Sequence, residues 1–154
     1  MSSPAYTPFL QALGEKLLAG PPTLFHVKFP SSAPIPHSTP LSAPVTECIN
    51  AFFDPSYDQA QYTSQFAQFG EKAATIADIT ATGLAGGWSV ETLPNDEVLG
   101  EGVKGHVFNT FIGWPSVEKH VEFRGSDAFG EVIPLLREGP KGAKMWHVAF
   151  ERFE

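Results

Sequence analysis

A stretch at the start of the chain returns, imperfectly, at its end. SPAYTPFLQALGEKLLAGPPTLFHVKF (residues 3–29) and SDAFGEVIPLLREGPKGAKMWHVAF (residues 126–150) share one pattern. Each runs Ser-x-Ala-aromatic, a leucine-bearing stripe, a Gly-Pro break, and His-Val-x-Phe. A repeat constrains the fold before any local propensity does. A lone helix and strand cannot bury their apolar faces, so residues 3–29 must dock on another sheet, in the same chain or in a partner. The chain therefore reads as a degenerate half-repeat (residues 1–29), a connector (30–44) and one complete domain (45–154).

In the half-repeat, Tyr6, Phe9, Leu10, Leu13 and Leu17 make a helical stripe behind a Ser3-Pro4 cap. Gly20-Pro21-Pro22 stops it, and Thr23–Phe29 alternates as a strand. The connector PSSAPIPHSTPLSAP carries proline every few positions, which forbids helix and sheet. It also carries His37, which a connector of this kind is expected to leave in solvent. Val45–Phe53 is rich in strand formers. Tyr62, Phe66, Phe69, Ala73 and Ile76 then space a helix over about residues 58–78. Gly83–Leu93 and Val103–Gly113 flank PNDEVLGEG as a hairpin. A helix capped by Ser116 breaks near Gly125-Ser126 and resumes through Phe129, Val132, Ile133 and Leu136. Lys144–Phe153 is the last strand.

The order strand, helix, strand, strand, helix, strand is the split βαββαβ, ferredoxin-like, α+β arrangement, with two helices on one sheet face. Trp146, Val148 and Phe150 alternate with Met145, His147 and Ala149, so both faces of the last strand are apolar. Two such sheets back to back would cover the open face, which predicts a homodimer.

At 154 residues, 42% apolar and 18% charged, the chain suits one packed domain plus a fragment and is not of the disordered class. A net charge of -7, with its few cations scattered, argues against nucleic acid and against anionic membrane surfaces. No apolar run is long enough to span a bilayer, and no basic start precedes an apolar core. The single cysteine, Cys48, excludes an intrachain disulfide and fits a reducing, cytoplasmic setting. Within a predicted strand and without an activating partner, Cys48 is a poor nucleophile. No His/Cys/Asp cluster has metal-ligand spacing and no glycine-rich phosphate loop follows a strand, so neither metal nor nucleotide cofactor is expected.

FIGWPSVEKHVEFRGSDAF (residues 111–129) resembles the strand-to-helix passage of dimeric α/β-barrel proteins, including antibiotic-biosynthesis-monooxygenase-like domains. The pattern is an aromatic at the strand end, Ser-x-Glu, then a polar residue one turn on: Trp114, Ser116, Glu118 and His120. The duplicated layout is similar to uncharacterised fungal tandem proteins, with the opening strands and first helix of the first copy absent. The resemblance implies a dimeric α/β barrel and a pocket between sheet and helices in each protomer. It also implies cofactor-free chemistry on small molecules of secondary metabolism, or no activity, since the superfamily hosts many functions.

Two histidines are candidate catalytic residues. His106, mid-strand beside Phe108 and Thr110, would serve as a general base on a phenol or activated methylene if an apolar pocket holds it. The alternative is a buried histidine satisfied by a carbonyl or facing a dimer interface. The resemblance to polyketide cyclases places a histidine here, but their aromatic hydroxyl and second histidine are Phe123 and Phe129. His120 shares a helical face with Val117, Val121 and Arg124. It points either into a pocket where Arg124 holds a carboxylate or enolate, or to a surface pair with Glu118, Glu122 or Lys119. Trp88, Phe108 and Phe123 are candidate apolar walls. Asn109 and Trp114 resemble the Asn and Trp that related monooxygenases set around a phenolate. His106 and Asn109 point to opposite sheet faces, so only one can line the pocket. His26 and His147 hold equivalent places in the repeat, which strand pairing explains more simply than catalysis. Gly86-Gly87 marks a bulge or a close approach. Two readings follow: a cofactor-free enzyme on an aromatic or polyketide-like small molecule, or a non-catalytic ligand-binding or structural homodimer. The half-repeat strand, for its part, would cover a sheet edge.

Overall fold

The computed structural model describes residues 6–16, 23–30, 40–77 and 79–151. The Ser3-Pro4 cap, the Gly20-Pro21-Pro22 break, connector residues 31–39 with His37, and Phe153 lie outside them. The elements in chain order are α1 (Tyr6–Lys16), β1 (Val27–Lys28), a 3₁₀ turn (Pro40–Ser42), β2 (Val45–Phe53), α2 (Gln59–Ala73) and β3 (Gly83–Ser89). There follow β4 (Leu93–Pro94), α3 (Asp96–Leu99), β5 (Lys104–Trp114), α4 (Val117–Arg124), α5 (Asp127–Val132), α6 (Pro134–Arg137) and β6 (Gly142–Val148).

The strands form one antiparallel sheet in the order β1-β3-β5-β2-β6, with β4 pairing the start of β5. With α2 between β2 and β3 and α4–α6 between β5 and β6, this is the ferredoxin-like α+β unit. The hairpin expected between β3 and β5 carries a turn of helix, α3, because Asn95 caps it by accepting from the Val98 amide at 3.3 Å. Asp58 caps α2, Ser116 caps α4 and Ser126 caps α5, each accepting one of the free first-turn amides. β6 is shorter than Lys144–Phe153 and starts two residues earlier.

Alternation along β2 and β5 sends Ile49, Ala51 and Phe53, with Phe108, Ile112 and Trp114, to the helix side. There they build two apolar clusters. One joins Ala51, Phe53, Tyr62 and Phe108, with Tyr57, Phe66 and Trp88 against it. Its rings meet edge to face: Phe53 with Tyr62 at 4.6 Å and Trp88 at 4.9 Å, Tyr62 with Phe108 at 5.1 Å. The other joins Phe69, Ile112, Trp114 and Val132 beneath Phe123 and Leu136.

The opposite face is less open than the sequence predicts. Thr46, Cys48, Phe52, Val107 and Asn109 are buried in the single chain. The Phe29 ring lies 6.0 Å from that of Phe111, and Thr46 Oγ1 donates to the Pro40 carbonyl at 2.7 Å, pinning the 3₁₀ turn. Trp146 on β6 (44%) and Phe150 just past it (47%) are exposed, as are Leu24 and Val90 beside β1 and β3. Of the strand expected over Thr23–Phe29, only β1 pairs on β3, as a two-residue ladder, and α1 leaves Phe9 58% exposed. Gly86 and Gly87 keep regular pairing with Thr110 and Asn109, so they mark close approach and no bulge.

Gly105 sits where β5 passes under β2 and α3. A Cβ there would lie 2.1 Å from the Phe53 carbonyl oxygen and 2.9 Å from Leu99 Cδ1. Gly105→Ala should lower stability by about 2–3 kcal/mol through overpacking against backbone. Urea denaturation measures it, and an unchanged midpoint would contradict this packing.

Candidate functional site

β2 carries an anomaly. In VTECINAFF, Glu47 occupies the inward alternation shared by Ile49, Ala51 and Phe53, so a carboxyl side chain faces the core. It is buried at 4% exposure, which demands polar partners. Trp114, at the end of β5, supplies one: its indole N–H donates to Glu47 Oε2 at 3.1 Å. His120, on the first turns of α4, brings Nε2 to 3.3 Å of the same oxygen. His120 stacks on Trp114 with ring centroids 4.9 Å apart, and its Nδ1 meets Nε2 of His147 on β6 at 2.7 Å. Four elements thus converge on one line, Trp114–Glu47–His120–His147, buried at its first three members and half-buried at His147.

Burial, then the neighbouring His147 and Arg124, pushes the His120 pKa down to about 4. His120 is therefore neutral near pH 7, and its approach to Glu47 is not an imidazolium–carboxylate ion pair. Burial raises the Glu47 carboxyl above its ordinary value, while the Trp114 hydrogen bond and the Arg124 charge pull it partly back. Facing a carboxylate, the His120 Nε2 edge is best protonated. Its Nδ1 then accepts from the His147 Nε2–H.

Glu47, Trp114, His120 and Arg124 line a cavity of about 380 Å³ between the sheet and helices α2 and α4–α6. Its remaining walls are mainly apolar, among them Ile49, Phe69, Leu84, Ile112, Phe123 and Phe129. Arg137 is the other charged lining residue. Such a space holds a small, mostly apolar molecule with an anionic or proton-donating end. Among the described residues, no three His, Cys, Asp or Glu side chains are arranged to hold a metal.

The sequence-derived candidates divide between places. Trp114, His120, Phe123 and Arg124 come together here. His106, Trp88 and Phe108 belong to the other end of the inner face, where the His106 and Trp88 rings are 6.4 Å apart and no cavity-lining role joins them to Phe123. His106 Nδ1 is buried without a hydrogen-bond partner. Trp88 donates to Thr63 Oγ1 at 2.9 Å, a packing role. Asn109 faces away from the cavity, its amide donating to the Val107 and Gly87 carbonyls at 3.3 and 3.5 Å. Burial and the adjacent Glu47 push the Cys48 thiol up, which keeps it unreactive. Glu47 was missed, although a lone acid on the apolar alternation of a strand was the available signal. His147, whose place in the sequence suggests strand pairing, is His120's partner.

The protonation of His120 makes a testable pH dependence. A folded-state pKa near 4, below the ordinary 6.5, means stability present above 6.5 is lost as pH falls through about 4. Between pH 7 and pH 4 the parent should lose about 3 kcal/mol more than His120→Gln, read by urea denaturation at each pH. Equal acid limbs would show that His120 is not buried in neutral form. Glu47 works in the opposite sense, its raised carboxyl favouring the fold at low pH.

No family model matches the chain, and no curated protein is similar to it in sequence. Its fold is similar to a dimeric ferredoxin-like protein of unknown function from Bacteroides fragilis (TM-score 0.43, 11% identity, 69% of this chain and 96% of that one). It is also similar to At3g17210 from Arabidopsis thaliana (TM-score 0.46, 15% identity, 72% and 99%). A dimeric ferredoxin-like protein of unknown function from Thermobifida fusca is similar at TM-score 0.44 and 8% identity, over 70% and 92%.

Proposed function

We propose that the chain is a cofactor-free protein of the dimeric α/β-barrel, antibiotic-biosynthesis-monooxygenase-like type, transferring protons on an aromatic or polyketide-like small molecule. The observation that carries this reading is a buried carboxyl, Glu47, opening on an apolar cavity beside the Arg124 guanidinium. Glu47 takes a proton from an acidic methylene or phenol, helped by burial that makes its carboxyl more basic than usual. Arg124 holds the enolate or phenolate that results. His120 and His147 fix the carboxyl's orientation and polarise it. Phe123 and Phe129, where a cyclase dyad would stand, make the far wall apolar, so the acid–base work falls to the β2 side.

The same cavity supports a second reading, a binder without turnover, because both His120 nitrogens are engaged by protein groups. The homodimer belongs to either reading and is supported by Met145, Trp146 and Phe150 standing exposed at the β6 margin. Among the described residues, no helix is long and apolar enough to cross a membrane.

Benzoylacetone is a suitable probe, with a ring for the apolar wall, an acidic methylene for Glu47 and an enolate for Arg124. Titration calorimetry should show binding that Arg124→Ala weakens by about 10- to 100-fold, the value of a hydrogen bond to a charged group. NMR should show protein-accelerated deuterium exchange at the methylene, abolished by Glu47→Gln while binding survives. Binding without acceleration would favour the binder, and absence of both would sink the site.

A further inference from the structure

The repeat and the sheet topology meet at one place. His26-Val27-x-Phe29 of the half-repeat corresponds to His147-Val148-x-Phe150 of β6. In the structure the first copy lies antiparallel on the outer edge of β3, with Val27 opposite Ser89 and Lys28 opposite Trp88. The β3 edge therefore receives a strand of β6 sequence type. It is shaped for one, since a Cβ at Gly87 would come within 2.5 Å of the Lys28 carbonyl oxygen. β6 itself pairs only with β2 among the described residues, so its outer edge is unpaired there. Trp146 on that strand and Phe150 just beyond it are exposed.

We infer that β1 is an intramolecular stand-in for the β6 edge of a second copy. Where it lets go, the β3 edge of one chain takes the 144–151 segment of another, which joins the two sheets. The hold of β1 is suited to exchange. It includes a two-residue ladder, the Val90 amide donating to the His26 carbonyl at 2.8 Å, the Phe29–Phe111 contact, and a clasp by Glu91. The clasp accepts from the His26 amide at 2.8 Å and meets its Nδ1 at 2.6 Å, in full view of solvent, where such pairs add little. An edge strand left bare recruits another, so β1 guards against association and sets its strength. The inference rests on the homodimer reading and names its surface.

The test uses the full chain with β1 weakened by Val27→Pro and Phe29→Ala together. Sedimentation equilibrium should show self-association at least about tenfold tighter than the parent. A fluorescent peptide of residues 144–151, KMWHVAFE, should bind this variant and not the parent, and a scrambled peptide should bind neither. Glu91→Ala, which removes only the clasp, should move both readouts the same way by less. It carries the test if the double variant fails to fold, as judged by circular dichroism. A folded variant whose self-association is unchanged and which ignores the peptide overturns the inference. If parent and variant then form equally strong dimers, the homodimer reading stands without this surface. If neither associates, both fall.

Discussion

The nine-residue antiparallel ladder between β2 and β5 decides which side of each central strand meets the helices. Side chains on a strand alternate with a period of two, so a shift of one residue would exchange the two faces completely. In the register observed, Glu47 lies opposite Ile112, and Phe53 lies opposite His106. That places Phe53, Phe108 and Ile112 in the apolar clusters, and forces one acid into the same layer. The cost of the acid is accepted because the strand cannot turn a single residue outward without losing its neighbours.

Everything distinctive about the cavity follows from that forced burial. A carboxyl out of water needs donors, and the indole of Trp114 and the imidazole of His120 stand where they can answer it. His120 in turn is buried and needs a partner for its second nitrogen, which His147 provides from the neighbouring edge strand. Removing one member would leave the next uncompensated, which is why such a line behaves as a unit. Arg124 adds a charge that acts on both Glu47 and His120, in a space otherwise walled by aliphatic and aromatic groups. The other end of the inner face is a cluster of aromatic rings, and the Nδ1 of its histidine, His106, is buried without a hydrogen-bond partner.

The two edge strands of the sheet are held very differently. β6 runs seven residues along β2, whereas β1 makes a two-residue ladder on β3. Docking covers part of an edge and brings Phe29 to Phe111, but leaves Phe9 of α1 in water. The sheet's outer face is buried over its centre at Thr46, Cys48, Val107 and Asn109, while Trp146 and Phe150 stay exposed at the β6 margin.

Local sequence determined the elements and their order. Apolar spacing places α2 and the long strands, and Ser116 marks the start of α4. These features depend on neighbours within a few residues, so they can be read along the chain. Only the tertiary structure decided which edge received β1, and which candidate residues would meet. Glu47 and His147 are separated by a hundred residues from one another yet by one imidazole in space. No pattern of period two or 3.6 carries such a distance. His120 illustrates the point: its helix face allowed either a surface pair or a pocket, and the register of β2, β5 and β6 made it the latter.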